Sequence, residues 1–195
     1  MKSDIILAGV GGQGILSIAA VIGMSALEDN LFLKQAEVHG MSQRGGAVQS
    51  HLRICDHEIA SDLIPMGQAD LILSVEPMES LRYLSWLSTN AWLVTNTAPY
   101  INIDNYPEIN EILDEIRKNP NHIILNADKI ASSLGSSRSS NIVMLGAASH
   151  FIPISIENFH HGIRKIFEKK GEDLVKINII AFEAGRKECT DYLNK

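Results

Sequence analysis

The chain lacks several features that would mark particular classes of protein. It has two cysteines in 195 residues, fewer than the roughly four thiolates that an iron–sulfur cluster uses. Neither cysteine stands in a Cys-x-x-Cys pair, so we predict isolated thiols in a reducing, cytoplasmic setting. The net charge of −6 without a basic run argues against a nucleic-acid surface. No apolar run is long enough to span a membrane, and the first residues do not resemble a signal peptide.

The residues that are present suit one globular domain. Hydrophobic residues make up 45% of the chain and charged residues 21%, which are ordinary proportions. Apolar strand-like runs alternate with helical patterns, and this order favours a parallel sheet with helices on both faces. We therefore predict an α/β fold in which residues 1–195 form a single Rossmann-like domain with a mostly parallel sheet and a hairpin addition.

The apolar periodicity places the elements along the chain. A tight turn at Asp56-His57 predicts a hairpin between the strand at 47–55 and residues 58–61. Glu76 follows a buried strand at the expected ligand edge of the sheet, where it is either a functional residue or the cap of the helix that begins near Pro77. The predicted strands cover 4–10, 31–37, 47–55, 70–75, 91–97 and 122–125, and the predicted helices cover 14–29, 78–87, 106–118, 127–134, 141–151, 156–169 and 173–193.

A first glycine motif lies between the first strand and the first helix. Gly9, Gly11 and Gly14 have the spacing of a dinucleotide-binding loop. Such a loop brings an anion close to backbone N–H groups at a helix N-terminus. An NAD(P) site would also need an acidic residue after the second strand, and Glu37 is the late candidate for it. A glycine turn used only for close packing is the other alternative, although the Gln13 amide suits an anion-binding loop better.

A second motif occupies residues 39–46, His-Gly-Met-Ser-Gln-Arg-Gly-Gly. Paired glycines can turn backbone amides toward an anion, and the Arg44 guanidinium can grip a phosphate or carboxylate with two hydrogen bonds. A solvated polar loop is the plain alternative. The histidines suggest no metal site, since His160 and His161 are adjacent on a helix and point apart.

Together the two motifs resemble the gamma subunits and domains of 2-oxoacid:ferredoxin oxidoreductases. The similarity lies in Gly-Val-Gly-Gly-Gln-Gly-Ile at 9–15 and in the run from Ala36 to Arg53. It continues through 69–77 and the terminal helix at 178–185, and it covers essentially the whole chain. Within that family the chain resembles most the small subunits of the indolepyruvate type. A pyruvate or 2-oxoglutarate type remains an alternative, as does a stand-alone NAD(P)-binding oxidoreductase.

The resemblance implies a division of labour between chains. Family enzymes decarboxylate a 2-oxoacid on thiamine diphosphate, reduce ferredoxin through iron–sulfur clusters and release an acyl-CoA. Thiamine diphosphate and the clusters are expected on a large partner subunit, so this chain would be inactive alone and hold no catalytic residue. An apolar docking patch is expected, through which the isolated chain could also form a homodimer.

The resemblance also assigns the candidate site, because both glycine motifs match family loops near the coenzyme A side. We expect them at the partner-facing edge, with a possible CoA contact and with Arg44 as the best candidate for an anion contact. The candidate binding residues are Gly9, Gly11, Gly12, Gln13, Gly14, Ser42, Gln43, Arg44, Gly45 and Gly46.

Overall fold

A computed structural model of the chain describes residues 1–39 and 45–194. The strands in these residues are β1 (Lys2–Val10), β2 (Phe32–His39), β3 (Ala47–Cys55), β4 (Ala69–Ser74), β5 (Leu87–Asn96) and β6 (His122–Leu125). The helices are α1 (Ile15–Glu28), α2 (Pro77–Arg82), α3 (Ile109–Arg117), α4 (Ala127–Ser133), α5 (Ser140–Ala148), α6 (Ile156–Phe167) and α7 (Glu172–Leu193).

The strands form one mixed sheet with the order β2-β3-β1-β4-β5-β6. β1, β4, β5 and β6 pair in parallel. β3 runs antiparallel to both of its neighbours, β1 and β2. β2 therefore points the same way as β1 but lies one strand farther out than in a sheet where β1 and β2 pair directly. The α/β fold with a mostly parallel sheet is confirmed.

The hairpin lies elsewhere than the sequence predicted. It joins β2 to β3, with Phe32 opposite Cys55 and His39 opposite Val48. Residues 58–61 form no strand, because both edges of β3 are already hydrogen bonded. Arg53 instead holds the segment after β3 as a loop, since its Nη1 donates to the carbonyls of Ser61 at 3.0 Å and Leu63 at 3.1 Å.

Helices cover both faces of the sheet, as predicted. The larger apolar cluster packs α1 and α4–α7 on one face, and the smaller one packs α2 and α3 on the other. α2 ends at Arg82, earlier than the helix predicted over 78–87, because a 3-10 turn leads into β5. α3 begins at Ile109 instead of residue 106. None of the helices in the described ranges has the length and apolar character to cross a bilayer.

Two glycines let α5 lie directly on α7. A Cβ atom at Gly146 would stand 2.0 Å from the Phe182 carbonyl oxygen, and one at Gly185 would stand 1.9 Å from the Val143 oxygen. Neither position has room for a side chain. This contact holds α5 on α7, and a hydrogen bond from Asn141 to the Gly14 carbonyl places the start of α5 beside the start of α1, where β1 ends. We call this end of the sheet, made of residues 9–17, 45–47 and 97–108, the glycine edge.

Candidate functional site

The first glycine motif forms the turn between β1 and α1. Gly12 and Gly14 have backbone φ angles of +103° and +83°, which residues other than glycine rarely adopt. A Cβ at Gly14 would also lie 2.4 Å from Asn141 Nδ2. The Gln13 side chain closes the turn, since its Oε1 accepts a hydrogen bond from the Val10 N–H at 2.8 Å. The amide that we expected to face an anion therefore first stabilises the loop itself.

The second glycine motif meets the first at the glycine edge. The Gly11 N–H donates to the Gly46 carbonyl at 2.9 Å, and the Gly45 N–H approaches the Gly11 carbonyl at 3.5 Å. Asn102 Nδ2 donates to the Gly45 carbonyl at 2.5 Å, so a third segment closes over the same place. Of the predicted binding residues, Ser42, Gln43 and Arg44 lie outside the described residues. The pairing of β3 with β1 thus brings the Gly45-Gly46 end of the second motif to the first motif, about thirty residues earlier in the sequence.

A cavity of about 580 Å³ opens beside the first glycine motif. It lies between the N-termini of α1 and α5 and the start of α7. The sequence motifs account for only part of its wall, because residues from the serine-rich loop before α5 and from the α6–α7 junction complete it. The lining residues are Gly12, Gln13, Gly14, Ser17, Ser137, Arg138, Ser139, Ser140, Asn141, Phe167, Lys170, Leu174 and Asn178.

Three polar side chains of the cavity wall are almost completely buried and are held by hydrogen bonds. Asn141 Nδ2 donates to the Gly14 carbonyl at 3.1 Å, which links the start of α5 to the start of α1. Ser139 Oγ bonds to Ser136 Oγ at 2.9 Å, and Asn178 Nδ2 donates to the Leu174 carbonyl at 2.8 Å. The wall is therefore preorganised before any ligand binds.

The electrostatics of the cavity favour an anion. The N-termini of α1 and α5 both border it, and each presents backbone N–H groups and a partial positive charge. Arg138 and Lys170 add two cations, and none of the described lining residues is acidic. The Lys170 ammonium lies 5.8 Å from the centre of the Phe167 ring. Hydroxyl groups, two cations and two helix N-termini form a donor set that suits phosphate groups.

Sequence reasoning missed Arg138, Asn141, Lys170 and Asn178 as site residues. The available signal was the serine-rich run that precedes a helix, which we interpreted only as a loop. Lys170 carried no signal, and Asn178 was noted only within the terminal helix that resembles the family, because both reach the cavity through the packing of α6 and α7 against α1 and α5. Tertiary packing alone brings them to the site.

Glu76 holds part of the glycine edge in place through hydrogen bonds to its carboxylate. Its buried carboxylate accepts a hydrogen bond from the Glu79 N–H at 2.7 Å, which confirms the predicted helix cap. It also accepts from the Tyr100 N–H at 3.3 Å and from the Tyr106 hydroxyl. Burial, and then this hydrogen bond, raise the pKa of Tyr106 well above its usual range. Glu76 therefore anchors the segment that carries Asn102.

Glu37, the acidic candidate for an NAD(P) site, lies on β2. Its side chain lines a second cavity of about 350 Å³ together with Gly11, Gly12 and Gly14. β3 lies between β2 and β1, so this carboxylate approaches the glycine loop from one strand farther away than in a sheet that pairs β1 with β2.

Comparison with known proteins places the chain in a family. The family model described as pyruvate ferredoxin/flavodoxin oxidoreductase matches residues 4–188. Indolepyruvate oxidoreductase subunit IorB of Archaeoglobus fulgidus is 37% identical over 194 residues, which cover 95% of this chain and 94% of that protein. The 2-oxoglutarate synthase subunit KorC of Methanothermobacter marburgensis is 29% identical over 96% of each chain.

Solved structures show the same fold at low identity. The gamma subunit of a keto/oxoacid ferredoxin oxidoreductase from Geobacter sulfurreducens PCA superimposes with a TM-score of 0.69 at 22% identity, over 97% of this chain and 99% of that chain. A 2-oxoglutarate:ferredoxin oxidoreductase from Magnetococcus marinus, solved with 2-oxoglutarate, coenzyme A and succinyl-CoA bound, gives a TM-score of 0.76 at 21% identity. This chain covers 31% of that longer chain, and 97% of its own length is matched.

The sequence resemblance is thereby confirmed over nearly the full length of the chain. Its relatives are subunits of 2-oxoacid oxidoreductases, which agrees with the expected role as one subunit of an oxidoreductase. The chain belongs to the pyruvate ferredoxin/flavodoxin oxidoreductase family.

Proposed function

We propose that this chain is the non-catalytic small subunit of an indolepyruvate-type 2-oxoacid:ferredoxin oxidoreductase. The observation that carries the proposal is its 37% identity to an indolepyruvate oxidoreductase subunit, with more than nine tenths of both chains covered. Identity to a 2-oxoglutarate synthase subunit is lower, at 29% with similar coverage. An aryl-pyruvate substrate is therefore favoured over 2-oxoglutarate.

Under this proposal the oxidative chemistry belongs to a larger partner subunit. The two cysteines lie apart, Cys55 at the end of β3 and Cys189 in α7, and an iron–sulfur cluster uses about four. Thiamine diphosphate and the clusters are accordingly assigned to the partner, and ferredoxin is met only through it. The small subunit contributes a binding surface at the glycine edge.

The glycine edge is the proposed surface for that partner. Exposed apolar side chains stand on the segment 97–108, where Ile101 is 71% exposed and Tyr100 and Ile103 are about two fifths exposed. Asn102 in the same segment is bonded to the Gly45 carbonyl. Exposed apolar groups that lie together favour a docking surface, because a partner that covers them removes apolar area from water.

We further propose that the glycine edge contacts coenzyme A through the 580 Å³ cavity. Coenzyme A accepts the acyl group as a thioester, and its other end carries phosphate groups. Arg138, Lys170 and the backbone N–H groups at the starts of α1 and α5 would hold those phosphates. Ser17 and Ser139 line the same wall and would orient them. Arg44, from the second motif, is the further predicted anion contact.

The first experiment is co-purification. The tagged chain is isolated anaerobically from its native host, and its companions are identified together with their thiamine diphosphate and iron content. We expect a large partner subunit and dye reduction that depends on indolepyruvate and coenzyme A. Faster turnover of 2-oxoglutarate or pyruvate would overturn the substrate assignment. Elution of the chain without any partner would overturn the subunit role.

The second experiment tests the coenzyme A contact in the purified complex. Arg138→Ala and Lys170→Ala each remove one charge-assisted hydrogen bond, so the KM for coenzyme A should rise about tenfold. The KM for the 2-oxoacid should stay unchanged, and Arg44→Ala should act in the same direction. Arg117→Ala, on α3 at the opposite face, is the matched control. An unchanged KM for coenzyme A in all three variants, with intact assembly, would exclude the contact.

One observation keeps a nicotinamide-binding function as the second candidate. Glu37 lines a cavity with the glycine loop, and an acidic residue there could bind a ribose hydroxyl. Titration of the isolated chain with NADH, followed by fluorescence, tests this directly. Saturable binding that is lost in Glu37→Gln would favour it, whereas no binding leaves the subunit proposal as the only one supported.

A further inference from the structure

The end of the sheet opposite the glycine edge contains a cluster of side chains unrelated to the proposed function. β3 ends at Cys55, and the next two residues are Asp56 and His57. We call these three residues the cysteine turn. Cys55 Sγ lies 3.1 Å from His57 Nδ1, His57 Nδ1 lies 2.9 Å from Asp56 Oδ1, and Cys55 Sγ lies 3.8 Å from Asp56 Oδ1. The residues thus bring one sulfur, one nitrogen and one oxygen donor together.

The separation of these donors matches the coordination shell of a small metal ion. A tetrahedral zinc ion with bonds of about 2.0–2.3 Å keeps its ligand atoms roughly 3.4–3.6 Å apart. The three observed separations of 2.9, 3.1 and 3.8 Å surround that range. The sulfur also lies 3.4 Å from His57 Nε2, so a turn of the imidazole ring, together with small shifts, would place all three donor atoms around one ion. Thiolate and imidazole are also the donors that borderline-soft divalent metals prefer.

The backbone and burial of the turn suit metal binding. Cys55 is buried and fixed in the last position of β3, so the sulfur has a defined place. His57 is 75% exposed, which leaves its ring free to rotate toward an ion. Asp56 Oδ2 faces the amino group of Met1, whereas Oδ1 faces His57 and remains directed at the cluster. One rigid and two adjustable ligands can close on an ion without moving the strand.

The surroundings leave a coordination position open and do not repel a cation strongly. A cavity of about 300 Å³ adjoins Cys55 and His57, and Glu58 and Ser61 also line it. Lys2 and Arg53 border the same cavity, but both are paired with Asp4, at 2.9 Å and 2.8 Å respectively. The Asp4 carboxylate offsets one of these two positive charges, and Glu58 brings a second carboxylate to the cavity, so water or Glu58 can complete the shell of an ion.

We propose that Cys55, Asp56 and His57 form a binding site for a zinc ion at the end of the sheet opposite the glycine edge. From the sequence we predicted no metal site, because we weighed the histidines alone. We did not weigh a cysteine together with the two residues that follow it. Folding adds what the sequence did not show, namely that donor atoms of all three side chains lie within 4.8 Å of one another at the end of the strand.

The test is titration of the full-length chain with Zn²⁺ by calorimetry and with Co²⁺ by absorption spectroscopy, under reducing, anaerobic conditions. We expect one ion per chain and a thiolate-to-cobalt charge-transfer band. His57→Gln should weaken binding by more than about tenfold, and Cys55→Ser should abolish the band. His160→Gln and Cys189→Ala are the matched controls, one a partly exposed histidine paired with Glu183 and one a buried thiol in α7.

Two results would overturn the proposal. One is the lack of saturable binding of one ion per chain by the unsubstituted protein. The other is binding that His57→Gln and Cys55→Ser leave unchanged. The largely exposed position of His57 means that His57→Gln should fold normally, so the test does not depend on the buried Cys55 variant. Circular dichroism and urea unfolding of each variant confirm that the fold is intact.

Discussion

The two ends of strands β1 and β3 offer opposite kinds of binding chemistry. At the glycine edge, Gly11 bonds to Gly46, and the cavity beside it combines the N-termini of α1 and α5 with the cations Arg138 and Lys170. At the other end, the side chains of the cysteine turn and the Asp4–Arg53 pair supply the polar groups. The first arrangement suits a large anion and the second a small cation.

The difference in binding chemistry explains why the two ends contain different types of residue. Backbone groups can approach a ligand only where side chains are missing, so the glycine edge needs residues such as Gly12 and Gly14. A metal ion needs donor atoms on short side chains, and three consecutive residues can supply them. Four substitutions, from the largest expected effect to the smallest, can separate what each end contributes.

The largest effect is expected from removing the carboxylate that supports the glycine edge. Glu76→Ala would leave the Glu79 and Tyr100 N–H groups and the Tyr106 hydroxyl without their acceptor. We expect the free energy of unfolding to fall by about 3 kcal/mol, measured by urea denaturation. Glu108→Ala is the matched control, because Glu108 precedes α3 without a side-chain cap. Equal losses in the two variants would show that Glu76 does not anchor this edge.

The next effect tests the opposite end. Arg53→Met removes the guanidinium that binds the Asp4 carboxylate with two hydrogen bonds, at 2.8 Å and 3.0 Å. Asp4 is fully buried, and among the residues that the structure describes Lys2 would remain as its charged partner. We expect a loss of about 2 kcal/mol in unfolding free energy, with the KM for coenzyme A unchanged in the complex. A raised KM for coenzyme A would mean that the two ends are not independent.

A smaller effect, the difference in stability between two glycine variants, separates backbone strain from crowding at the glycine edge. Gly14→Ala places a Cβ at a φ of +83° and 2.4 Å from Asn141 Nδ2, whereas Gly135→Ala has a similar φ of +79° in open space. We expect losses of about 2 kcal/mol and about 1 kcal/mol respectively. Thermal unfolding of both variants gives the difference, which measures the link between α1 and α5. Equal losses would show that Asn141 moves aside freely.

The smallest effect is a dependence of stability on pH through His51. Burial lowers the pKa of His51 below its usual 6.5, helped by Arg53 and opposed by Asp62 and Asp4. The neutral ring accepts the Ile64 N–H at Nδ1, 3.0 Å away. The folded chain thus binds fewer protons than the unfolded chain below pH 6.5, so stability is full above that pH and falls as acid is added.

Unfolding free energies measured between pH 8 and pH 5 check this sign. The His51→Gln variant should show a flatter pH profile, and His160→Gln, a partly exposed histidine, should keep the slope of the unsubstituted protein. A slope that His51→Gln leaves unchanged would assign the pH dependence to other groups.

Much of the fold could be predicted because local patterns determine it. Several elements lie within a few residues of their predicted positions, namely β1, α1, β3, β6 and α4. The hairpin was placed wrongly after Cys55, because the turn-like Asp56-His57 looks the same whether or not the strand already has two neighbours. Pairing of β3 with both β1 and β2 is a non-local choice that a local turn signal does not contain.

The candidate site likewise has features that local sequence patterns predict and features that only tertiary packing sets. Both glycine motifs were visible, since glycines before a helix and paired glycines before a strand are local features. Their meeting through Gly11 and Gly46 depends on the insertion of β3 beside β1. Lys170 and Asn178 reach the cavity only because α6 and α7 pack on α1 and α5.

By itself the sequence determined the class of fold, the family and the presence of two glycine loops, because each follows from short-range patterns of residue type. Only the tertiary structure decided where the groups suited to an anion and the groups suited to a cation come together. Gly146 and Gly185 let α5 lie on α7, and Asn141 joins the N-terminus of α5 to that of α1 beside one cavity. The end of β3 gathers sulfur, nitrogen and oxygen donors at the cysteine turn. Both depend on distances between atoms that packing alone sets.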